Sequence, residues 1–174
     1  VNECAGMVNQ MGALAQASVN LVLEQFLQYT EAREEKIVSN EDKLDIYEDR
    51  LGGYLVQISQ HGTSADDNRT ISRLLHAIGD FERIGDHILN LQQSAKELHD
   101  KQLRFSDAAR EELGVLTHLM QDILDASLSC FREDDPIAAQ QVEPLEETMD
   151  CLTDEIRSRH IRRLQTGECT IQLG

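Results

Sequence analysis

Apolar residues recur at helical spacing along almost the whole chain, and no stretch alternates apolar and polar positions as a strand does. The first run, about Val8 to Lys36, carries Met11, Leu14, Ala15, Val19, Val22, Phe26 and Tyr29 on one face and predicts an amphipathic helix. Ser39-Asn40 reads as a break, with Asn40 as N-cap of a second helix that carries Leu44, Tyr47, Leu51, Tyr54, Leu55 and Ile58. His61-Gly62-Thr63-Ser64 closes it. A third helix is expected from about Arg69 to Leu98, and a fourth from about Asp107 to Arg132, ended by Glu133-Asp134-Asp135-Pro136. The fifth runs from about Ile137 to Leu164, kinked at Pro144 and terminated by Gly167. The pattern is that of an all-α chain.

Within the third helix the stretch Asp80-Phe81-Glu82-Arg83-Ile84-Gly85-Asp86-His87 breaks the separation of apolar and charged faces. On a wheel of about 100° per residue, Ile71, Leu74, Leu75, Phe81, Gly85, Ile88 and Leu89 lie within about 80° of Ile78. Glu82 falls inside that arc at about 40° and Asp86 on its edge at about 80°, whereas Asp80 points away. A carboxylate among core positions is costly to desolvate unless a cation or hydrogen bonds satisfy it. An i,i+4 pair of acids also repels itself. Glu82 and Asp86 therefore form a candidate half of a metal site, with interhelical salt bridging to Arg83 or Arg73 as the alternative. His87 faces about 100° away from Asp86 and is expected at the surface.

A gapless shift that carries Met11 onto Leu116 also pairs Leu14 with Leu119, Val19 with Leu124, Leu23 with Leu128 and Phe26 with Phe131. It continues into the next helix, pairing Ile37 with Val142, Leu44 with Met149, Tyr47 with Leu152 and Leu51 with Ile156. Apolar registers match easily between amphipathic helices. The acids are more telling: Glu41 meets Glu146 and Asp45 meets Asp150, each pair at about 60° and 100° from its central apolar residue. Glu48 also lies at the edge of the apolar arc, but its counterpart is Thr153. The same shift carries Arg69, the start of the third helix, onto position 174. The chain therefore reads as two pseudo-repeated three-helix units, residues 1–102 and 103–174, with a sixth helix missing from this fragment. The apolar groove that this would leave predicts dimerisation, helix rearrangement or poor order near the C-terminus.

Composition narrows the function. Aromatics make up only 4% of the 174 residues and the only prolines are Pro136 and Pro144, which suits long helices packed on aliphatic side chains. A formal charge of −16 argues against direct binding to nucleic acid or to an anionic membrane surface. It favours cations or a basic partner. Cys4, Cys130, Cys151 and Cys169 form no Cys-x-x-Cys pattern and read as reduced, mostly structural thiols of a cytoplasmic protein. No window approaches the apolar length of a membrane span. The start at Val1 and the end on Ile171-Gln172-Leu173-Gly174 suggest a piece of a longer protein, whose soluble part this would be if the whole is membrane-bound.

The signature Asp80-Phe81-Glu82-Arg83-Ile84-Gly85-Asp86-His87-Ile88, with Asn90 beyond it, resembles the characteristic helix of PhoU-type domains. Glu41/Asp45 and Glu146/Asp150 fall where that family repeats its Glu/Asp-x-x-x-Asp motif. The Arg-rich end of the fifth helix, followed by Gly167-Glu168-Cys169, is most similar to the C-terminal cytoplasmic domain of bacterial sodium/phosphate cotransporters. The resemblance implies a PhoU-like antiparallel helical bundle and a regulatory role in phosphate uptake on the cytoplasmic side of the inner membrane. It implies as partner the membrane domain of a phosphate transporter or a phosphate-signalling protein, with a homo-oligomer also open. It further implies metal ions held by the acid pairs, often iron or zinc. On the residues alone, four carboxylates converging from Glu41, Asp45, Glu82 and Asp86 form a hard-ligand set suited to iron, manganese, magnesium or calcium. The missing sixth helix puts the site of Glu146 and Asp150 in question.

Catalysis is not expected. No Glu is followed three residues later by His, as the usual di-iron carboxylate site requires. There is no Gly-rich phosphate loop and no Gly-x-Ser-x-Gly, and the six histidines are scattered. The competing reading from another class is a purely structural interaction module whose acids serve solubility.

Overall fold

The computed structural model describes residues 1–61 and 64–170. Gly62 and Thr63 of the expected end of the second helix, and the chain end at residues 171–174, lie outside the described residues. The described residues form six helices: α1 (Asn2–Leu27), α2 (Glu31–Ser59), α3 (Ala65–Asp100), α4 (Asp107–Glu133), α5 (Pro136–Ala139) and α6 (Val142–Thr166). No strand occurs among the described residues. Contacts divide the chain into two units, Val1–Glu97 and Leu98–Gly174.

In the first unit α1 packs on α2, and α3 closes over both. Val8, Met11, Ala15 and Val22 of α1, Ile37, Leu44 and Leu55 of α2, and Leu74, Ile78 and Ile88 of α3 form its buried core. The turn between α1 and α2 is Gln28-Tyr29-Thr30, ahead of the Ser39-Asn40 break that the periodicity predicts. The buried Gln25 side chain organises this turn: its Nε2 donates to the Thr30 carbonyl at 3.1 Å, and the Thr30 N–H donates to its Oε1 at 2.8 Å. Thr30 Oγ1 then caps α2 by accepting from the Arg33 N–H at 3.3 Å. Asn40, expected as a cap, instead lies in the middle of α2, 1% exposed, with Nδ2 donating to the buried Ser18 Oγ at 2.9 Å. A polar residue that disfavours helix interiors is retained there because the opposing helix supplies its partner. Gln25 Nε2 also donates to Gln92 Oε1 at 3.0 Å, linking α1 to α3. Ser64 caps α3, its Oγ accepting from the Asp67 N–H at 3.1 Å and donating to the Asp67 carboxylate at 2.7 Å.

In the second unit α4 packs on α6. Ser106 caps α4 and Asp135 caps the short α5, whose first residue is Pro136. The expected fifth helix is interrupted at Gln140–Gln141, and Pro144 sits in the first turn of α6 rather than at a kink. Proline fits there because the first-turn N–H groups have no intrahelical acceptor. Gly167 ends α6 at φ 76°, the left-handed conformation expected of it. Arg163 holds α6 to α4 through a paired contact with Glu112, Nη1 at 2.9 Å and Nη2 at 2.7 Å. That hydrogen bond, more than the adjacent charges, keeps the Glu112 carboxyl below its usual range.

The element boundaries follow the internal repeat. The shift that takes Met11 to Leu116 carries Asn2, the start of α1, onto Asp107, the start of α4, and Glu31, the start of α2, onto Pro136, the start of α5. The cores differ. Val8, Met11 and Leu44 are buried, whereas their counterparts Leu113, Leu116 and Met149 are only half-buried. Ser18 and Asn40 have the apolar counterparts Ile123 and Leu145.

That exchange gives a stability test. Removing one partner of a buried hydrogen bond leaves the other unsatisfied, costing about 1–3 kcal/mol, whereas replacing both with apolar groups of similar shape is nearly neutral. Ser18→Ala should therefore lower stability to chemical denaturation by that amount. Ser18→Ala/Asn40→Leu should recover most of the loss, and an additive double variant would show that the hydrogen bond is not what holds Asn40 in the core.

Candidate metal-binding face

Glu41 and Asp45 lie one turn apart on α2, and Glu82 and Asp86 one turn apart on α3. The two helices meet where a Cβ on Gly85 would stand 3.0 Å from Leu44 Cδ1 and 3.6 Å from Glu41 Cγ. This contact sets the register that brings the acid pairs onto one strip of the first unit. Glu41 and Glu82 are half-buried beside the core, and Asp45 and Asp86 are exposed at its edge. His87 is exposed, as the spacing predicts.

The electrostatics are those of like charges held together. Burial pushes the Glu41 carboxyl above its ordinary 4.5, and the charges of Asp45, Asp42, Asp86 and Glu82 add to the shift. Glu82 is raised by burial first, then by Asp86, Glu48 and Asp45, with only the Arg83 cation opposing. Among the described residues none of the four carboxylates stands within ion-pair distance of a Lys or Arg. Of the two arginines that the sequence offers for salt bridging, Arg83 acts on Glu82, its charge opposing the rise. Glu48 and Asp42 belong to the same field. Glu48 was legible in the sequence at the edge of the apolar arc, whereas Asp42 gave no signal, since it follows Glu41 on a solvated flank.

A hard divalent cation suits this donor set: carboxylate oxygens, partly desolvated and mutually repelling. The side chains as placed do not close on one point, for among the described residues no three His, Cys, Asp or Glu groups are close enough to hold an ion. The backbone register aligns the pairs, and ligation would need their side chains to rotate inward. Glu146 and Asp150 are both exposed on α6 in the second unit, and the structure does not bring them to a second acid pair. Sequence reasoning missed the buried Gln25–Gln92 pair; its only trace was a glutamine three residues after Val22 on the apolar face of α1.

A helical bundle with an acidic strip across two packed helices defines a class that known proteins narrow further. The PhoU domain family matches residues 8–95, just over half of the chain, and this chain belongs to that family. The matched region contains Glu41, Asp45, Glu82 and Asp86. Two relatives from strains of Xylella fastidiosa, each named as a phosphate-specific transport system accessory protein PhoU homolog, are 25% identical over 140 and 138 residues. These alignments cover 80% and 79% of this chain and 58% and 57% of the relatives. A protein of the same name from Synechocystis sp. is 26% identical over 155 residues, covering 86% of this chain and 66% of its own length. The chain thus spans less than two thirds of the length of these relatives. No solved structure matches it significantly. No helix of the described residues is long and apolar enough to cross a membrane.

The raised carboxyls fix a pH dependence. Glu41 and Glu82 hold protons more tightly folded than unfolded, so their contribution to stability falls as pH rises above the ordinary carboxylate value and returns on acidification. Glu34 and Glu112 are shifted the other way and act in both proteins of a wild-type/variant pair alike. Metal-free Glu82→Gln should melt higher than wild type at about pH 7, with the gap narrowing toward about pH 5. A gap that stays constant across that range would show that Glu82 is not under electrostatic strain.

Proposed function

We propose that this chain is a regulatory, accessory domain of phosphate uptake whose acidic strip on α2 and α3 takes up a metal ion. The observation that carries the metal reading is the opposition of Glu41/Asp45 to Glu82/Asp86, where burial and the neighbouring carboxylates raise Glu41 and Glu82 together. Family membership and the accessory-protein names of the relatives support the regulatory role. In this reading the domain is attached to, or acts on, a sodium-dependent phosphate transporter at the cytoplasmic face of the membrane. Its partner is then that transporter's membrane domain or a phosphate-signalling protein.

Ligation would be by carboxylate oxygens, so magnesium, manganese and iron suit the site better than zinc, which favours nitrogen and sulfur. A bound cation would relieve the repulsion that raises Glu41 and Glu82, and would fasten α2 to α3 along the strip. Glu146 and Asp150 would make an equivalent half-site on α6, complete only if a further acid pair is brought to them. Nothing in the residues around either strip supplies a nucleophile with its base, and the reading includes no catalysis.

A second reading follows from the open arrangement of the side chains: the domain works as a structural interaction module and its acids serve solubility and partner choice. Metal content separates the two. Purified protein without a metal-binding tag should contain near-stoichiometric iron, manganese or zinc by elemental analysis, lost in a Glu41→Ala/Glu82→Ala variant of equal helicity. Equally negligible metal in both, also after incubation with each ion, would transfer support to the interaction module.

A further inference from the structure

The second unit carries a groove of about 330 Å³ between α4 and α6, floored by Val115 of α4 and by Leu152 and Ile156 of α6. The internal repeat shows why it is open. Val115 and Leu152 stand where the first unit has Gln10 and Tyr47, and there the Tyr47 hydroxyl donates to Gln10 Oε1 at 3.4 Å, bridging α1 to α2. The two shorter apolar residues leave that bridge out, and Val115 is 58% exposed. Single apolar residues at a surface are ordinary, but an apolar floor rimmed by charged side chains marks an interaction site.

The rim has changed its charge as well. Glu111, Glu112 and Glu155 stand where the first unit has Gly6, Met7 and Arg50. Glu112 is taken up by Arg163, and Arg159 lies 3.7 Å from Glu112 and 2.7 Å from Glu155. Among the described residues Glu111 has no ion pair, and Glu155 is met only by Arg159 of its own helix. Acid is therefore in excess at the mouth, on the α4 wall and on the α6 wall. The lining runs from Ala108 to Val115 on α4 and from Leu152 to Arg159 on α6, roughly two helical turns and about 10 Å. A helix lying in a groove of that length fills it with two side chains one turn apart.

We propose that this groove docks an amphipathic helix of a partner protein, one that carries two aliphatic residues a turn apart with lysine or arginine beside them. The aliphatic pair packs on Val115, Leu152 and Ile156, and the flanking cations meet Glu111 on one wall and Glu155 on the other. A cation brought to Glu155 competes only with Arg159, and an exposed pair of that kind costs little to exchange. A second copy of this chain suits the groove poorly, because each copy carries a formal charge of −16 and like charges would meet. None of these residues belongs to the acidic strip on α2 and α3, so the docking site does not depend on the metal reading.

The probe is an alanine-based helical peptide with leucines at i and i+4 and lysines beside them, compared with the same peptide carrying glutamates in place of the lysines. Fluorescence anisotropy with the chain as it stands should show the lysine peptide binding, more weakly as salt is raised, and the glutamate peptide not binding. Val115→Gln/Leu152→Tyr restores the residues of the first unit's bridge and leaves every charge in place, and it should weaken binding about tenfold or more. Glu111→Gln/Glu155→Gln leaves the floor intact and should weaken binding about threefold or more, with a flatter salt dependence. Glu146→Gln/Asp150→Asn, exposed on α6 outside the groove, should bind as wild type does. No binding of the lysine peptide by wild type would overturn the proposal, as would unchanged affinity in folded Val115→Gln/Leu152→Tyr. An equal loss in Glu146→Gln/Asp150→Asn would show that net charge holds the peptide, and unchanged affinity in Glu111→Gln/Glu155→Gln would show that the partner need not be basic; either result overturns it. Self-association of wild type that Val115→Gln/Leu152→Tyr abolishes would make a second copy the occupant, against the proposal.

Discussion

Everything at the acidic strip depends on one close contact, the absent Cβ of Gly85 against Leu44. Helices packed through ordinary side chains keep their axes about 8–10 Å apart. At Gly85 the Leu44 side chain enters the space that a Cβ would take, and the carboxylates within one turn of this contact lie in one another's field. Burial of Glu41 and Glu82 then removes the water that would have screened it. The apolar core of the first unit bears the cost, because Ile78, Phe81 and Ile88 on α3 and Leu44 and Leu51 on α2 bury the surface that holds the repelling pairs together.

A second constraint acts at the other end of the same bundle. Gln25 closes the α1–α2 turn and reaches Gln92 on α3, while Lys96 pairs with Glu34 at 3.1 Å and Glu34 accepts from the Tyr29 hydroxyl. These polar contacts fix how far along its axis α3 lies. The fit of Gly85 to Leu44 needs that register, since a slip of one residue would present Ile84 or Asp86 to Leu44 instead. Buried polar groups contribute little net stability, but they penalise every register in which they go unpaired.

The helical class, the repeat and the four acids were legible in the sequence because each is a matter of period. A stripe at about 100° per residue identifies a helix, and a fixed shift that matches acids as well as apolar residues identifies a repeat. What was not legible depends on partners from other elements. Ser39-Asn40 has the composition of a helix end, and only the Ser18 hydroxyl on α1 makes Asn40 a core residue. Gln25 reads as a solvated side chain until the Thr30 backbone and Gln92 stand beside it. Phe26, placed in the core by its spacing, is half-buried because Gln25 occupies the inward position. Pro144 reads as a kink if the helix is taken to start at Ile137, and as ordinary first-turn chemistry once the interruption at Gln140–Gln141 is known.

The two units show what the repeat preserves and what it leaves free. The starts of α1 and α2 recur at α4 and α5, and the spacing of Glu-x-x-x-Asp recurs between α2 and α6, but the interior chemistry does not. Glu112 and Arg163, the ion pair that joins α4 to α6, stand where the first unit has Met7 and Ile58, and His160 stands where it has the fully buried Leu55. A bidentate pair in a half-buried site can hold two helices without a third layer over them, since charge-assisted bonds tolerate water at their edge. A leucine core cannot, because its contribution depends on water being excluded. The first unit is accordingly built to be covered, and its acids are strained by that cover. The acids of the second unit lie exposed on α6. The same motif at the same spacing is therefore under electrostatic load in one unit and solvated in the other, and the difference originates in the helix that closes over it.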